Sequence, residues 1–256
     1  MSVAGPAILL VIAAVVAFLL RKRLVVVALF SLASLVTAIA IVASTPADAT
    51  SELLGLPLRL SPLGRLAAMV LLAILGALVL DVWLDEPAYN FFPTALGVGA
   101  AVVAVLVLVT PLAIYAALLA GLLLPVGSFT FQIPRNRSVE AASRHYGFVT
   151  LGGTLGLAAL AIAAGLPRDQ PQTTFVLLVV VLYVAFALKL AAIPFHTHAA
   201  LLATEAPVSA LALYLGVLIP ATVIAFSEIL TLSGLLPSIV QLVKVQELLL
   251  AIGAAS

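Results

Sequence analysis

Long apolar stretches, each ended by a short cluster of charge, proline or glycine, recur from one end of the chain to the other. A helix needs about 20 apolar residues to cross a bilayer core of ~30 Å. By that measure the pattern predicts spans over Val3–Leu20, Leu24–Ser44, Leu66–Leu84, Thr94–Val109, Leu112–Val126, Val139–Gly165, Thr173–Ala192, Pro207–Phe226 and Leu236–Ala254. In hydrocarbon every backbone N–H and C=O must be satisfied inside the protein, which leaves helices as the form such runs take. The expected fold class is an all-α polytopic membrane protein of about nine transmembrane helices.

The breaks between runs refine this picture. Pro46 to Arg65 is the first long one, with Asp48, Glu52, Pro57 and Pro62 as breakers; inside it Leu54–Ser61 alternates and suits a short extended piece at the interface. Asp85-Glu86-Pro87 closes the third span, with Trp83, Tyr89, Phe91 and Phe92 as an aromatic belt. Thr110-Pro111 is so short a turn that the helices on either side must be antiparallel neighbours. Gly152, Gly153 and Gly156 lie mid-span, where small residues let a neighbouring backbone approach closely. Pro194 is expected to stop or kink the seventh span and Pro220 to interrupt the eighth.

Charge sets the orientation. Arg21-Lys22-Arg23 follows the first apolar run and is read as cytoplasmic, as are Arg135, Arg137 and Arg144, which puts the N-terminus outside a multi-pass protein of the cell (inner) membrane. The order of apolar run before basic cluster is the reverse of a signal peptide, so the first run is expected to stay as a span.

Composition agrees. The chain is 65% hydrophobic and 8% charged, against roughly 25% charged in soluble domains, and its mean hydropathy is +1.35. The net charge of +1 and the scattered basic residues give no surface for phosphates, so nucleic acid is not an expected partner. Without cysteine there is no thiolate or iron–sulfur ligation, and no cofactor or metal is expected in this chain.

One stretch breaks the apolar rule. Leu188 to Ala210 places Lys189, His196, His198, Glu205 and two prolines in an otherwise apolar run, and ionisable groups there are tolerated when they face the protein interior or a wet cavity. Lys189 is a candidate proton-path residue, or else a lysine near a helix end that snorkels to the headgroups. His196 can relay a proton near neutral pH or bond a carbonyl freed by Pro194. His196 and His198, two residues apart, point to nearly opposite faces of a helix, which disfavours a shared metal. Glu205, just before Pro207, suits a cap of the eighth helix. Glu228 and Lys244 flank the Ser233–Pro237 turn; Lys244 can pair with Glu247, and together with Glu228 forms a possible second proton-path segment.

At Lys189-Leu-Ala-Ala-Ile-Pro194-Phe195-His196-Thr197 and Thr204-Glu205-Ala206-Pro207-Val208-Ser209-Ala210 the sequence resembles the antiporter-like membrane subunits of respiratory complex I (NADH:quinone oxidoreductase), of Mrp-type antiporters and of membrane-bound hydrogenases. Their pattern there is approximately K-x-A-x-x-P-F-H-x-W-L-P-D-A-x-x-E-A-P-T-P-V-S-A. Leu58-Arg59-Leu60-Ser61-Pro62-Leu63 is similar to their D-x-L-S segment, and Glu140-Ala141-Ala142-Ser143-Arg144-His145-Tyr146 to their A-x-x-K-Y-F start of span six. The resemblance implies a shortened form of that fold in one membrane domain: residues 1–93 as a three-helix segment, 94–226 as a five-helix half with a broken seventh helix carrying a lysine on a proton path, and 227–256 as a terminal helix. This chain departs from the family at span five, where Ala120 stands at the position of a glutamate, and at span eight, where Leu213 and Ile219 replace ionisable groups. His198-Ala-Ala-Leu201 replaces W-L-P-D, and the family's second inverted half is missing.

The resemblance implies a non-catalytic subunit that gives H⁺ or Na⁺ a half-channel centred on Lys189 and His196, coupled to redox chemistry in partners. Expected partners are the lipid bilayer, other membrane and peripheral subunits, and a second chain supplying the missing helices. Two alternatives stand beside it: a non-conducting docking subunit, and the membrane partner of an inorganic-carbon uptake complex.

Overall fold

A computed structural model describes residues 2–85, 89–127, 138–166, 172–192 and 196–233. They form nine helices and one hairpin: α1 Gly5–Leu20, α2 Leu24–Ser44, β1 Ala49–Leu53, β2 Leu56–Leu60, α3 Pro62–Asp85, α4 Phe91–Val107, α5 Pro111–Leu123, α6 Ser138–Gly165, α7 Gln172–Lys189, α8 Thr197–Glu205 and α9 Val208–Leu232. Four of these, over Leu24–Ser44, Pro62–Asp85, Val139–Gly165 and Val208–Leu232, are long and apolar enough to cross a membrane on length and composition, and shorter apolar helices stand beside them. The all-α polytopic expectation holds. The predicted ninth span, with Lys244, lies outside the described residues.

Helix starts follow the prolines. Pro62 and Pro111 stand in the first turns of α3 and α5, where the missing N–H is no loss. Ser61 accepts a hydrogen bond from the Gly64 amide at 3.0 Å and so satisfies one of the free donors of α3. The extended piece at residues 54–61 is half of an antiparallel hairpin, with Ala49 opposite Leu60 and Leu53 opposite Leu56. Its two-residue turn puts both Leu54 (φ 54°) and Gly55 (φ 79°) in the left-handed region, the geometry of a type I′ turn. Arg59 and Asp48 close the open end of the hairpin with an ion pair at 2.7 Å.

The core sits around α4. Twelve of its residues are buried, from Phe91 to Val107, because α1, α3 and α5 wrap it and α2 and α9 touch it. A helix apolar all round suits an interior or lipid alike, and here its neighbours make it the interior one. α5 packs against α4 as the short turn required, and carries the bundle on to α6 and α9; α6 packs in turn on α7 and α8. Large apolar side chains face outward, among them Val11, Ile12, Val15, Val36, Ile162 and Leu177, which is what lipid contact calls for.

The mid-span glycines of α6 do what small residues allow. A Cβ on Gly152 would meet the Ala185 carbonyl of α7 at 2.7 Å, and one on Gly156 would overlap the Tyr115 ring of α5. α7 and α5 therefore both pack close against this stretch of α6, one turn apart along it.

α7 ends sooner than its apolar run. The helix stops at Lys189, with Ala191 left-handed at φ 54°. The Leu190 amide bonds to the Phe186 carbonyl at 2.8 Å, and the Ala192 amide reaches back to the Ala187 carbonyl at 3.0 Å. This is a Schellman-type stop with alanine where glycine is usual. Pro194, expected to make the break, lies outside the described residues. A left-handed L-residue is strained by roughly 1–2 kcal/mol, partly offset by glycine's greater freedom in the unfolded chain. Ala191→Gly should therefore raise stability by about 0.5–1 kcal/mol in a denaturation series of the detergent-solubilised chain. A loss of stability would mean that the stop is held by something other than the backbone.

Pro220 does not end α9. Residues Tyr214–Leu218 form one wide π turn, which makes room for a proline that lacks a donor and crowds the preceding turn. The helix then runs on to Leu232.

Candidate functional site

Lys189 is fully buried. It is the last helical residue of α7, and side chains on a helix lean toward the N-terminus, so its amine points back into the bundle and away from the near surface. The Nζ lies 3.4 Å from the centroid of the Tyr115 ring and 5.3 Å from that of Phe186. No hydrogen-bond partner for Nζ is found among the described residues, and no described carboxylate pairs with it. The snorkelling alternative is thereby corrected: the amine does not reach the headgroups.

The depth can be read from α6. That helix has 28 residues, about 42 Å at 1.5 Å per residue. The Tyr115 hydroxyl donates to the carbonyl of Gly152 at 2.5 Å, halfway along it. The amine above the Tyr115 ring is therefore level with the middle of α6.

Four helices hold this place. α5 supplies Tyr115 and α7 supplies Phe186, whose rings meet edge to face at 5.4 Å. Phe226 of α9 packs on Phe186 at 4.6 Å. Tyr214, in the π turn of α9, donates its hydroxyl to the Lys189 carbonyl at 2.7 Å. The ring of His145, fully buried on α6, stands at 90° to that of Tyr214 at 5.1 Å, and its Nε2 lies 3.5 Å from the Leu122 carbonyl. The carbonyl left free where α7 stops is thus satisfied in the interior, as hydrocarbon demands.

The other sequence candidates are not gathered here. His196 is exposed just before α8, and no hydrogen bond, ion pair or ring contact joins it to Lys189 among the described residues. A site centred on Lys189 and His196 together is therefore not what the geometry gives. His198 lies in the first turn of α8. Glu205 is the half-buried last residue of α8 and does not cap the next helix: α9 begins after Pro207 with no side-chain cap. Glu228 is half-buried on α9 and lines a cavity of about 130 Å³ with Arg59, Ser61 and Leu108. It lies 14 residues beyond Tyr214, about 21 Å along the helix, so it stands well away from the Lys189 carbonyl that Tyr214 holds. Among the described residues no three His, Asp or Glu side chains converge as for a metal.

The sequence reading missed Tyr115, Tyr214 and His145 as members of the site. A signal was there for the tyrosines: a buried hydroxyl needs a partner, and both stand inside predicted spans, Tyr115 four residues and Tyr214 eight residues into theirs.

The fold and site define a polytopic membrane protein in which a broken helix brings a lysine amine to mid-bundle. Among solved structures it is similar to a chain of respiratory complex I from Thermus thermophilus, solved with bound aureothin, at a TM-score of 0.72 and 19% identity over 87% of this chain and 52% of that one. It is also similar to a chain of the membrane-bound sulfane sulfur reductase, an archaeal respiratory membrane complex, at a TM-score of 0.66 and 19% identity over 89% of this chain and 40% of that one. The fold thus agrees with the family that the Lys189–Thr197 and Thr204–Ala210 motifs resemble, and the chain spans about half the length of the first relative and less of the second. Comparison of the sequence with family models and with curated proteins gives no match.

Proposed function

We propose that this chain is a membrane subunit of a complex I-related ion-translocating assembly, and that Lys189 carries H⁺ (or Na⁺-coupled charge) through its interior while redox chemistry runs in partner subunits. The observation that supports this is a fully buried amine, at a helix break, without a hydrogen-bond partner among the described residues. An amine in such a place is expensive unless it is used or wetted. A second buried titratable side chain, His145, sits one ring away, across Tyr214.

The test is ion uptake by proteoliposomes holding the assembled complex. Lys189→Ala should lower translocation by tenfold or more while the subunits still co-purify; unchanged translocation would remove Lys189 from the path.

A second reading is favoured by the absence of a carboxylate beside Lys189 among the described residues. The chain would then be a docking subunit that conducts nothing. In that case Lys189→Ala is silent and removal of the chain abolishes assembly.

A further inference from the structure

Among the described residues the lysine has no counter-charge within reach, yet its amine is held. We propose that the Tyr115 ring is its positioning partner, a π face standing where a carboxylate would otherwise balance the ammonium. The proposal rests on the reading of Lys189 as the ion carrier and adds the group that seats it.

Three contacts fix the orientation of that ring. Its hydroxyl is tied to the Gly152 carbonyl at 2.5 Å. Phe186 packs edge-on against it. Gly156 leaves the space the phenol fills, since a Cβ there would overlap the ring. Held at its hydroxyl end and flanked by Phe186, the ring presents a face to Nζ at 3.4 Å. An aromatic face carries negative quadrupole density and attracts a cation most strongly where water is excluded. Donation from the hydroxyl pushes further electron density into the ring, so the tie to Gly152 serves the seat as well as the helix packing.

The seat differs from an ion pair in what it leaves free. An ammonium has three donors, and a ring face engages it without accepting a proton or holding a fixed charge. The amine is kept in place, with its remaining donors open to water or to an arriving ion. A carboxylate at the same distance would bind it far more tightly in a low dielectric. Tyr115 thus gives a carrier that is localised without being trapped. The function of span five then rests on Tyr115, although Ala120 stands where the related proteins have their glutamate.

The chain has three lysines, Lys22, Lys189 and Lys244, which makes a spectroscopic test direct. In the full chain with ¹³C-lysine, reconstituted in lipid nanodiscs, Lys189→Arg identifies the Lys189 ε-methylene signal by its loss. That signal should lie upfield of the other two because of the Tyr115 ring current. It should stay upfield in Tyr115→Phe and Tyr115→Trp, which keep a ring face, and move to the position of the other lysines in Tyr115→Leu. In the assembled complex, translocation should fall about tenfold in Tyr115→Leu and be retained in Tyr115→Phe. A Lys189 signal without upfield displacement in the unsubstituted chain overturns the seat, and so does a signal that Tyr115→Leu leaves in place. Because the first of those needs no substitution at Tyr115, a misfolded Tyr115→Leu does not shield the proposal. If the ring contact is seen but Lys189→Ala translocates normally, the carrier reading falls and the seat stands as a structural contact. If Lys189→Ala is inactive and no ring contact is seen, the seat alone falls.

Discussion

Gly156→Ala should destabilise the chain by about 3 kcal/mol or more, at the upper end of what overpacking a tight interior costs. The added methyl would overlap the Tyr115 hydroxyl and ring carbons, and neither can swing aside. The hydroxyl is bonded to Gly152 and the ring is flanked by Phe186. α5 and α6 must therefore separate, or the phenol must leave and give up its hydrogen bond. A control lies in the same helix: Gly147 is exposed and a Cβ there meets nothing within 4 Å. Gly147→Ala should be neutral or stabilising by about 0.5–1 kcal/mol, the ordinary gain of alanine over glycine in a helix. The pair is read by thermal or SDS denaturation of the solubilised chain followed by circular dichroism. Equal effects from both substitutions would show that the α5–α6 contact is looser than the geometry requires.

Much of the fold is legible in the sequence because lipid imposes a length and an apolar composition that leave few choices. α2 matches its apolar run from Leu24 to Ser44, and prolines at 62 and 111 mark helix starts because only there is a missing N–H harmless. The inside of the bundle is less legible. In water an apolar stripe marks the buried face; in lipid both faces are apolar, so the all-round burial of α4 and the outward valines of α1 are written in the same residue types. What separates them is fit, such as Gly156 against Tyr115, and fit is a property of pairs that lie far apart in the chain. The same applies to the site. Lys189 is visible because a charge in an apolar run is costly, whereas its neighbours are set by where α7 stops. The stop at Ala191 is a backbone conformation that no glycine announces, and Lys189 is buried beside it while His196 is exposed and Glu205 half-buried at the end of α8. His145 stands seven residues into α6, where a helix near the surface would be wet. It is buried because the end of α5 and the π turn of α9 cover it.

Tyr214→Phe should cost about 2 kcal/mol, within the ~1–3 kcal/mol range for leaving a buried acceptor unpaired. The substitution keeps the ring, and with it the edge-to-face contact with His145 at 5.1 Å. What it removes is the hydroxyl that serves the Lys189 carbonyl at 2.7 Å. A helix that ends in an aqueous loop would hand that carbonyl to water, but α7 ends beside a fully buried side chain. Of the carbonyls at its end, those of Phe186 and Ala187 are taken by the Leu190 and Ala192 amides, and the Lys189 carbonyl depends on α9. Tyr214→Ala loses the ring as well and should cost about 3–5 kcal/mol, as large-to-small changes in a core do. Hydrogen exchange locates the damage: in Tyr214→Phe the amides of Leu190 and Ala192 should lose protection first, because the stop they form is anchored by that one carbonyl. If their protection and the overall stability are unchanged, water already reaches the Lys189 carbonyl. The break in α7 would then be a hydrated notch, and the amine beside it would have a solvent path that does not depend on Tyr214.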